Sequence, residues 1–573
     1  MKYPVRIMLT FLAAAALLGG CTEQPKPSAK ASETASEAES TVDALSGLAP
    51  VGATLLEGLG DYSRSIGSTD PEVQKWFDQG LMLTYGFNHQ AAERSFLKAA
   101  SLDPDCAMCW WGAALVLGPH VNAGMDPGNV AAAWERLQKA MALAPDAEPW
   151  QRAWIEALAA RYAENPPEDR SGLDQAYAEA MAALVAQYPD DLDAATLYAE
   201  SLMNLQPWSY WDDDGQPLGN TETIVSVLEG IMDRNPDHAG ALHLYIHAVE
   251  ASEQPERGVA AADRLRTLIP GSGHLVHMPA HIYARVGRYN DAVLANQKAI
   301  EADNVYLAAC RPGPNVYPLG YVPHNHHFLW FAATMGGSRE IALGAAGQTH
   351  ERTSIPELMR TPGFEAMQNF SLTPLFADVR FGRWETIQAT DNPAPDLPYI
   401  TAMWHYARGM AALRLGDDEA SDRHYQALVA AAADPAIEAM MTWGRYSLIR
   451  GVRVAERTLA AERAFAAGRG DEAVEFLEQG VAIEDEIPYD EPPGWHAPVR
   501  QTLGYVHLEN GRPELAEAAY RAELRRNPEN GWSLFGLEQA LRAQGRNEEA
   551  DQVAQRFEIA WQHADFELTA SRL

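Results

Sequence analysis

Basic residues are scarce in this chain, which has 44 Lys and Arg against 78 Asp and Glu and a formal net charge of −34. Because a phosphate-binding surface needs clustered positive charge, we expect neither nucleic acid nor anionic lipid head groups to bind the folded body. Alternation of apolar and polar residues, which marks β-strands, is nowhere sustained. The sequence therefore excludes an architecture built on sheets.

Long apolar runs are missing beyond the N-terminus. The run from Ile7 to Leu18 is too short to span a membrane, and it follows a basic start. It ends in Leu18-Gly19-Gly20-Cys21, which resembles a bacterial lipobox. The resemblance implies a signal peptide at residues 1–20, cleavage before Cys21 and lipidation of that cysteine.

The residues after the lipobox indicate a location. Thr22, not Asp, follows the cysteine, which in lipoprotein families favours sorting to an outer membrane. Residues 22–50 are rich in Ser, Ala, Glu, Pro and Thr, so we assign 21–64 to the lipidated cysteine and a flexible tether. The predicted location is the cell envelope, with acyl chains holding the protein to the outer membrane and its body facing the periplasm.

Few cysteines remain once Cys21 is lipidated, namely Cys106, Cys109 and Cys310. An oxidising compartment permits a disulfide, and the odd number leaves at least one thiol over. Cys106 and Cys109 open a predicted helix, where they can form a structural disulfide or act as redox thiols acidified by the helix dipole. No thioredoxin-like pattern surrounds them, which favours the structural pair.

A helical repeat is what the chain does contain. Small and apolar residues recur with helical spacing from residue 73 onward, at Trp76, Gly80, Leu83, Ala92, Phe96, Ala99 and Pro104. They resemble the tetratricopeptide (TPR) consensus, in which small residues let two antiparallel helices pack closely. The resemblance implies an all-α, TPR-type α-solenoid over residues 65–573, built from roughly ten to twelve antiparallel helical hairpins in a right-handed superhelix.

Histidines are concentrated in residues 239–333, which hold eight of the 17. Two H-x-x-x-H pairs, His243/His247 and His277/His281, lie 34 residues apart at both members. Because 34 residues is a TPR repeat length, we predict two matched helices side by side whose imidazoles converge on one point. His274 precedes His277 by about one turn on the same face.

A third group, His324-Asn325-His326-His327, begins another predicted helix. His324 and His327 are one turn apart, so we expect both to face the same groove. The predicted metal ligands are therefore His243, His247, His277, His281, His324 and His327. Imidazoles suit several transition metals, of which zinc or copper is the predicted cofactor. The predicted outer partners or groove residues are His274, His326 and Glu250.

Three carboxylates are candidate general bases if the ion activates water or dioxygen. Glu250 follows the first histidine pair, and Asp490 and Glu491 stand in an extended segment before two prolines. The alternative for this segment is a solvated loop that caps the next helix. Whether the protein is an enzyme stays open at this point.

Four phrases widen the resemblance: Trp76-Phe77-Asp78-Gln79-Gly80, His277-Met278-Pro279-Ala280-His281, Pro323-His324-Asn325-His326-His327-Phe328 and Asp490-Glu491-Pro492-Pro493. They look like those of exported bacterial TPR lipoproteins of unassigned role, so the resemblance implies a fold and no activity. Two functions follow. One is a lipid-anchored TPR protein with a His-rich transition-metal site, for metal binding or metal-assisted chemistry. The alternative is a metal-free envelope scaffold that binds a peptide or protein partner in the TPR groove.

Overall fold

A computed structural model of the chain describes residues 52–212 and 214–573. The predicted signal peptide, the lipidated Cys21 and the tether as far as residue 51 lie outside the described residues. Their assignments stay predictions. The same holds for the location in the cell envelope.

The described chain is a succession of α-helices. As far as Cys310 they are α1 (Pro71–Tyr85), α2 (His89–Leu102), α3 (Ala107–Leu115), α4 (Val130–Leu143), α5 (Pro149–Ala159), α6 (Ser171–Gln187), α7 (Leu192–Asn204), α8 (Thr221–Arg234), α9 (Ala239–Val249), α10 (Val259–Leu268), α11 (Gly273–His277), α12 (Pro279–Arg285) and α13 (Tyr289–Cys310). Short 3₁₀ turns lie at Pro127–Asn129, Ala144–Asp146 and Pro255–Gly258, and a π-helical turn lies at Tyr317–Tyr321.

The remaining helices follow in the same manner. They are α14 (Val322–Met335), α15 (Arg339–Thr353), α16 (Pro356–Met359), α17 (Ala366–Ser371), α18 (Thr373–Arg380), α19 (Trp384–Ala389), α20 (Pro398–Arg414), α21 (Asp418–Ala431), α22 (Pro435–Glu438), α23 (Ile449–Ala466), α24 (Gly470–Asp485), α25 (Val499–Glu509), α26 (Pro513–Arg526), α27 (Gly531–Ala543) and α28 (Asn547–Ala560). Strands β1 (Met441–Thr442) and β2 (Tyr446–Ser447) form a small antiparallel pair between α22 and α23.

Consecutive helices pack as hairpins because glycine lets one aromatic ring fill the space between three helices. Phe96 on α2 lies between Gly80 of α1 and Gly112 of α3, and a Cβ at either glycine would stand 2.7 or 2.5 Å from its ring. Tyr520 on α26 fills the corresponding space between α25 and α27, against Gly504 and Gly536. This packing of one aromatic ring against two glycines recurs with the TPR period. The predicted all-α, TPR-type fold is confirmed.

Two compact units make up the described chain. The N-terminal unit comprises residues 52–282 and Ala295–Val322, apart from residue 213. The C-terminal unit comprises Tyr283–Leu294 and Pro323–Leu573. The expectation of one continuous TPR array over residues 65–573 stays a prediction.

The segment before α1 is held against the helices of the N-terminal unit. The Leu56 N–H donates to Gln79 Oε1 at 2.8 Å. The Arg64 guanidinium forms ion pairs with Asp191 at 2.7 Å and with Asp193 at 2.8 Å. The sequence places residues 52–64 in the tether, whereas the structure ties them to the helices through these polar contacts.

No helix among residues 52–212 and 214–573 combines the length and the apolar character that a membrane crossing requires.

Candidate metal centre

Five buried imidazoles lie together in the N-terminal unit and are called the histidine cluster below. His243 and His247 project from α9, His274 and His277 from α11, and His281 from α12. Each side chain is at most 2 % exposed. The 34-residue interval in the sequence thus corresponds to neighbouring helices whose histidines meet.

The backbone of α9 lies deep in the unit. All eleven of its residues are buried, as expected for a helix that is apolar on most sides. Gly240 allows the ring of Tyr85 to approach, since a Cβ there would stand 2.6 Å from that ring. The same Tyr85 contributes its carbonyl group to the histidine cluster.

The helix that the sequence predicts from His274 to Arg285 is divided into α11 and α12. Pro279 lacks an N–H, so the helical ladder of hydrogen bonds is interrupted there. Met278 keeps right-handed helical dihedral angles of φ −49° and ψ −38°. His277 and His281 therefore still lie about one turn apart and face each other.

Four of the five imidazoles donate their Nδ1–H to an oxygen. His243 donates to the carbonyl of Tyr85 at 2.6 Å, and His277 to Asn296 Oδ1 at 2.7 Å. His247 and His281 donate to the two oxygens of the Glu250 carboxylate, at 2.8 and 2.7 Å. Because the partner of one ring nitrogen fixes the tautomer, the lone pair of each neutral ring lies on Nε2.

The Nε2 atoms meet in the interior of the cluster. His277 Nε2 and His281 Nε2 are 2.6 Å apart, and His243 Nε2 and His274 Nε2 are 3.1 Å apart. His243, His247 and His274 each offer a ligand nitrogen, and these three nitrogens lie within 4.8 Å of one another. Buried histidines arranged in this way can hold a metal ion.

The cluster keeps its imidazoles in the form that binds metals. Burial, followed by the neighbouring His247, lowers the pKa of His243 well below 6.5. Burial, followed by His243, lowers the pKa of His274 in the same way. Both rings are therefore neutral at pH 7, as metal coordination requires.

Phe87 is a neighbour that the sequence reasoning missed. Its ring centroid lies 4.5 Å from that of His243, 5.5 Å from that of His274 and 6.0 Å from that of His247. Its φ of +53° is left-handed, which is unfavourable for a bulky side chain. The turn after α1 therefore places an apolar ring against the imidazoles despite a backbone cost.

Asn296 was also missed by the sequence reasoning. It lies on α13, is fully buried and accepts the hydrogen bond from His277. An asparagine within a helix carries no sequence signal of such a role, so only the contact identifies it. Glu250, by contrast, follows His247 by three residues, and the sequence names it as a partner of the histidines.

The third predicted histidine group belongs to α14 and the C-terminal unit. Burial lowers the pKa of His326 and of His327 to about 3. His327 stacks on Trp330 with a centroid distance of 5.1 Å. The assignment of His324 and His327 as metal ligands, and of His326 as an outer partner, stays a prediction.

The candidate bases Asp490 and Glu491 also lie in the C-terminal unit. Asp490 accepts a hydrogen bond from the Tyr446 hydroxyl at 2.6 Å and pairs with Arg445 at 3.3 Å. Burial, opposed by Arg445, raises the pKa of Asp490. Glu491 precedes a cis proline, Pro492. The role of either residue as a general base stays a prediction.

Cys106 and Cys109 form a disulfide bond at the start of α3. Both residues are buried. Their sulfurs are therefore not thiolate ligands while the bond is intact, which leaves the histidine cluster as a set of nitrogen donors. The third cysteine, Cys310, is a buried thiol whose pKa is raised by burial.

Comparisons with known proteins give structural likeness alone. No family profile matches the chain, and no curated protein matches it. Among solved structures, the human IFIT1 dimer with m7Gppp-AAAA is 12 % identical, with coverage of 86 % of this chain and 91 % of that chain and a TM-score of 0.31.

Two further solved structures are comparable. Cut9–Hcn1, from the APC/C hetero-tetramer, is 13 % identical, with coverage of 84 % and 79 % and a TM-score of 0.28. Yeast Tom70 is 12 % identical, with coverage of 86 % and 91 % and a TM-score of 0.27. All three are TPR-repeat proteins. At these TM-scores the likeness is weak, and the fold class follows from the helical hairpins of the chain itself.

Proposed function

We propose that the histidine cluster binds transition-metal ions and that the protein is a metal-binding TPR protein of the cell envelope. One observation carries the proposal. Four imidazoles donate Nδ1–H to oxygens while their Nε2 atoms point inward, which is how metal-binding histidines are oriented by their outer partners.

His243, His247 and His274 would form the first binding position. Nitrogens that share one tetrahedral zinc ion are separated by roughly 3.3 Å, given Zn–N bonds of about 2.0 Å. The distance of 3.1 Å between His243 Nε2 and His274 Nε2 is close to this value. His274 Nδ1 is buried and makes no hydrogen bond to the part of the chain that the structure describes. Because no hydrogen bond at Nδ1 orients the His274 ring, an ion bound at Nε2 would supply the interaction that orients it.

His277 and His281 would contribute to a second position. With both Nδ1–H groups donated to oxygens, two Nε2 lone pairs face each other at 2.6 Å. Two lone pairs at this distance repel unless a proton lies between the rings, and to share a metal cation the rings would have to move apart to the roughly 3.3 Å that two zinc-bound nitrogens keep.

A metal-free alternative with neutral rings involves a different arrangement of Asn296. If its amide were turned, the NH₂ group would donate to His277 Nδ1, and His277 Nε2–H would then donate to His281. All hydrogen bonds of the pair would be satisfied without an ion. The two arrangements predict opposite effects of an Asn296→Asp substitution.

Nitrogen donors limit the choice of metal. Neutral imidazoles suit zinc and copper, and calcium and magnesium prefer oxygen ligands. We therefore propose zinc or copper as the bound metal. Copper(II) is paramagnetic and zinc(II) is d¹⁰, so electron paramagnetic resonance of the purified protein separates the two.

We also propose attachment to the outer membrane through lipidated Cys21. The lipobox-like sequence supports this proposal, as does the disulfide between Cys106 and Cys109, since disulfides persist in oxidising compartments. Metabolic labelling with a radioactive fatty acid tests it. Incorporation should depend on Cys21, and equal labelling of a Cys21→Ser variant contradicts the proposal.

Metal analysis of the purified chain tests the proposed site. We expect two ions of zinc or copper per chain, one of which is lost in His243→Ala/His274→Ala and the other in His277→Ala/His281→Ala. Circular dichroism should confirm that each variant keeps its helices.

A matched control uses the pair His405 and His424 of the C-terminal unit. Their Nδ1 atoms are 2.8 Å apart, and they belong to no group of three candidate ligands among the described residues. His405→Ala/His424→Ala should leave the metal content unchanged. Wild-type protein that is folded and stays metal-free after incubation with zinc and with copper would overturn the proposal.

A further inference from the structure

The last twelve residues of the chain, 562–573, are called the C-terminal tail below. After α28 they form no helix or strand. Residues of the tail contact the start of α15, the turn after α18 and helices α20, α23, α25, α26 and α27 of the C-terminal unit. An irregular segment held by helix faces in this way has the form of a bound peptide.

Asp565 fixes the beginning of the tail. Its two carboxylate oxygens accept hydrogen bonds from the backbone N–H groups of Arg339 at 2.9 Å and Glu340 at 2.8 Å. These N–H groups belong to the first turn of α15 and have no helical partner of their own. The Asp565 N–H in turn donates to the carbonyl of Gly337 at 3.2 Å.

Phe566 places an aromatic ring among others. Its centroid lies 5.7 Å from Trp532 on α27, 5.7 Å from Phe381 after α18 and 5.4 Å from Trp561. The guanidinium of Arg339 lies 5.2 Å from the ring centroid. Apolar burial and a cation–π contact therefore hold this position.

Ser571 is buried although it lies two residues from the chain end. Its hydroxyl donates to the carbonyl of Gln501 on α25 at 2.9 Å. The hydroxyl of Tyr520 on α26 lies 2.7 Å away and donates to Ser571 Oγ. A small hydroxyl side chain thus satisfies two polar groups that the helices present.

Arg572 compensates a buried negative charge. Its guanidinium pairs with Glu462 on α23 at 3.2 Å and lies 4.2 Å from the ring centroid of Tyr505. Glu462 is only 2 % exposed, and its other ion-pair partner is Arg414 on α20, at 3.1 Å. Removal of the tail would leave this carboxylate with one cation. The Leu573 carbonyl lies 3.5 Å from Arg414 Nη2, so the tail also ends on this arginine.

We propose that this face of the C-terminal unit is a peptide-binding site whose resident occupant is the chain's own tail. Its external ligand is a protein segment of the same chemistry, with an aromatic residue, a small hydroxyl residue five positions later, then an arginine and an aliphatic residue. Binding of such a segment displaces the tail. The proposal is independent of the metal site, since all contacts named here lie within the C-terminal unit.

Fluorescence anisotropy of a labelled synthetic peptide with the sequence of residues 562–573 tests the proposal on the full-length protein. Wild-type protein should bind the peptide at least tenfold more weakly than Phe566→Ala/Arg572→Glu, because the intact tail competes in the wild type. A peptide with glutamate in place of its arginine should bind neither protein measurably.

The matched control is Arg469→Glu, which makes the same charge change at an exposed ion pair with Glu472. It should behave as wild type, since exposed ion pairs contribute little. Equal peptide binding by wild type and by Phe566→Ala/Arg572→Glu, or equal binding of both peptides, would overturn the proposal.

Hydrogen exchange on the wild-type protein decides the case without any substitution. Saturating unlabelled peptide should accelerate exchange of the amides of residues 562–573 at least tenfold, because the displaced tail is exposed to solvent. An unchanged exchange rate at saturating peptide would mean that the tail is a permanent part of the fold. Metal content should not change in any of these experiments, so failure here is distinguishable from failure of the metal site.

Discussion

Glu250 shows how one side chain can orient two imidazoles. Its carboxylate is fully buried, and each of its oxygens accepts an Nδ1–H, one from His247 and one from His281. A carboxylate is the only side chain that offers two acceptors and no donor in so small a group. The first and second proposed metal positions are thereby linked through one residue, and both rings are fixed with Nε2 directed inward.

Asn296 provides the sharpest test at the scale of single residues. Aspartate at this position can only accept, so Asn296→Asp keeps His277 Nδ1 as the donor. In a metal-binding cluster this variant should retain both ions per chain. Asn296→Leu removes the acceptor and should weaken metal binding about 10- to 100-fold, as loss of an outer partner does. Competition with a chelator of known affinity measures both effects.

The metal-free arrangement reverses the expectation for Asn296→Asp. There the asparagine must donate to His277, and an aspartate would leave two acceptors facing each other in the interior. The variant would then be destabilised in the absence of metal and would bind none. Wild-type protein that binds no ion, together with a lower unfolding midpoint for Asn296→Asp, would therefore count against the proposed function.

At the scale of helices, close approach at glycine decides how hairpins stack. Gly112 on α3 and Gly80 on α1 both face Phe96, whereas Gly230 in the interior of α8 has nothing within 4 Å of its potential Cβ. Glycine thus has two different effects on stability in this chain. It is a packing requirement in α1 and α3 and a cost in conformational entropy in α8.

Substitution of these two glycines by alanine should shift stability in opposite directions. Gly112→Ala forces the ring of Phe96 to move and should destabilise the protein by about 1–3 kcal/mol, as overpacking does. Gly230→Ala should stabilise it by about 0.5–1 kcal/mol, because alanine has less freedom in the unfolded chain. Thermal unfolding followed by circular dichroism measures both. A higher midpoint for Gly112→Ala would contradict the packing described for the hairpins.

Helices α24 and α26 bring the carboxyl groups of half-buried Glu484 and buried Glu523 into one region. Burial raises the pKa of Glu484 on α24 to about 7. Burial, followed by the charge of Glu484, raises the pKa of Glu523 on α26 to about 8. Each folded-state pKa lies above the ordinary value of 4.5, so the folded protein retains protons that the unfolded chain has lost.

The C-terminal unit should consequently lose stability as the pH rises. Between about pH 4.5 and pH 8 the folded state binds more protons than the unfolded state, so the free energy of unfolding falls with increasing pH. The stabilisation that comes from the raised pKa values of Glu484 and Glu523 is complete at the acidic end of this range and is lost near pH 8. Glu523→Gln carries a neutral amide and should flatten the dependence between pH 5 and pH 8 in urea unfolding. An equally steep dependence in Glu523→Gln would show that another group is responsible.

On the scale of the whole molecule, the excess of negative charge acts against the folded state. The formal net charge is −34, and compaction brings these charges closer together. Many carboxylates form ion pairs at the surface, yet such pairs contribute little individually. The repulsion between like charges therefore lowers the free energy of unfolding of the whole protein, by an amount that depends on ionic strength.

Sodium chloride should raise the thermal stability of the protein. An increase from about 10 mM to about 150 mM shortens the Debye length from roughly 30 to 8 Å and screens the repulsion between like charges. We expect the unfolding midpoint to rise over this range, whereas an equal osmolality of a neutral solute should have a smaller effect. A midpoint that falls with salt would mean that attractive ion pairs outweigh the net charge.

The sequence by itself determined the local repeat. Glycine, alanine and aromatic residues recur with the TPR period, so the hairpins and their packing residues Gly80 and Phe96 could be predicted from the spacing. The 34-residue interval also predicted that His243 and His247 lie beside His277 and His281, because equivalent positions of adjacent repeats are neighbours. These features depend on residues that are close in sequence or related by a fixed period.

Only the tertiary structure decided which atoms meet. His243 donates to the carbonyl of Tyr85, 158 positions earlier in the chain, and Asn296 reaches His277 from α13. A backbone carbonyl and a single asparagine leave no pattern in a sequence, since their roles depend on how distant helices pack. The tail is a further case, because its contacts with Gln501 and Glu462 follow no repeat. Periodic features could be predicted from the sequence. The orientation of each imidazole and the docking of the tail could not, because they depend on contacts between separate parts of the chain.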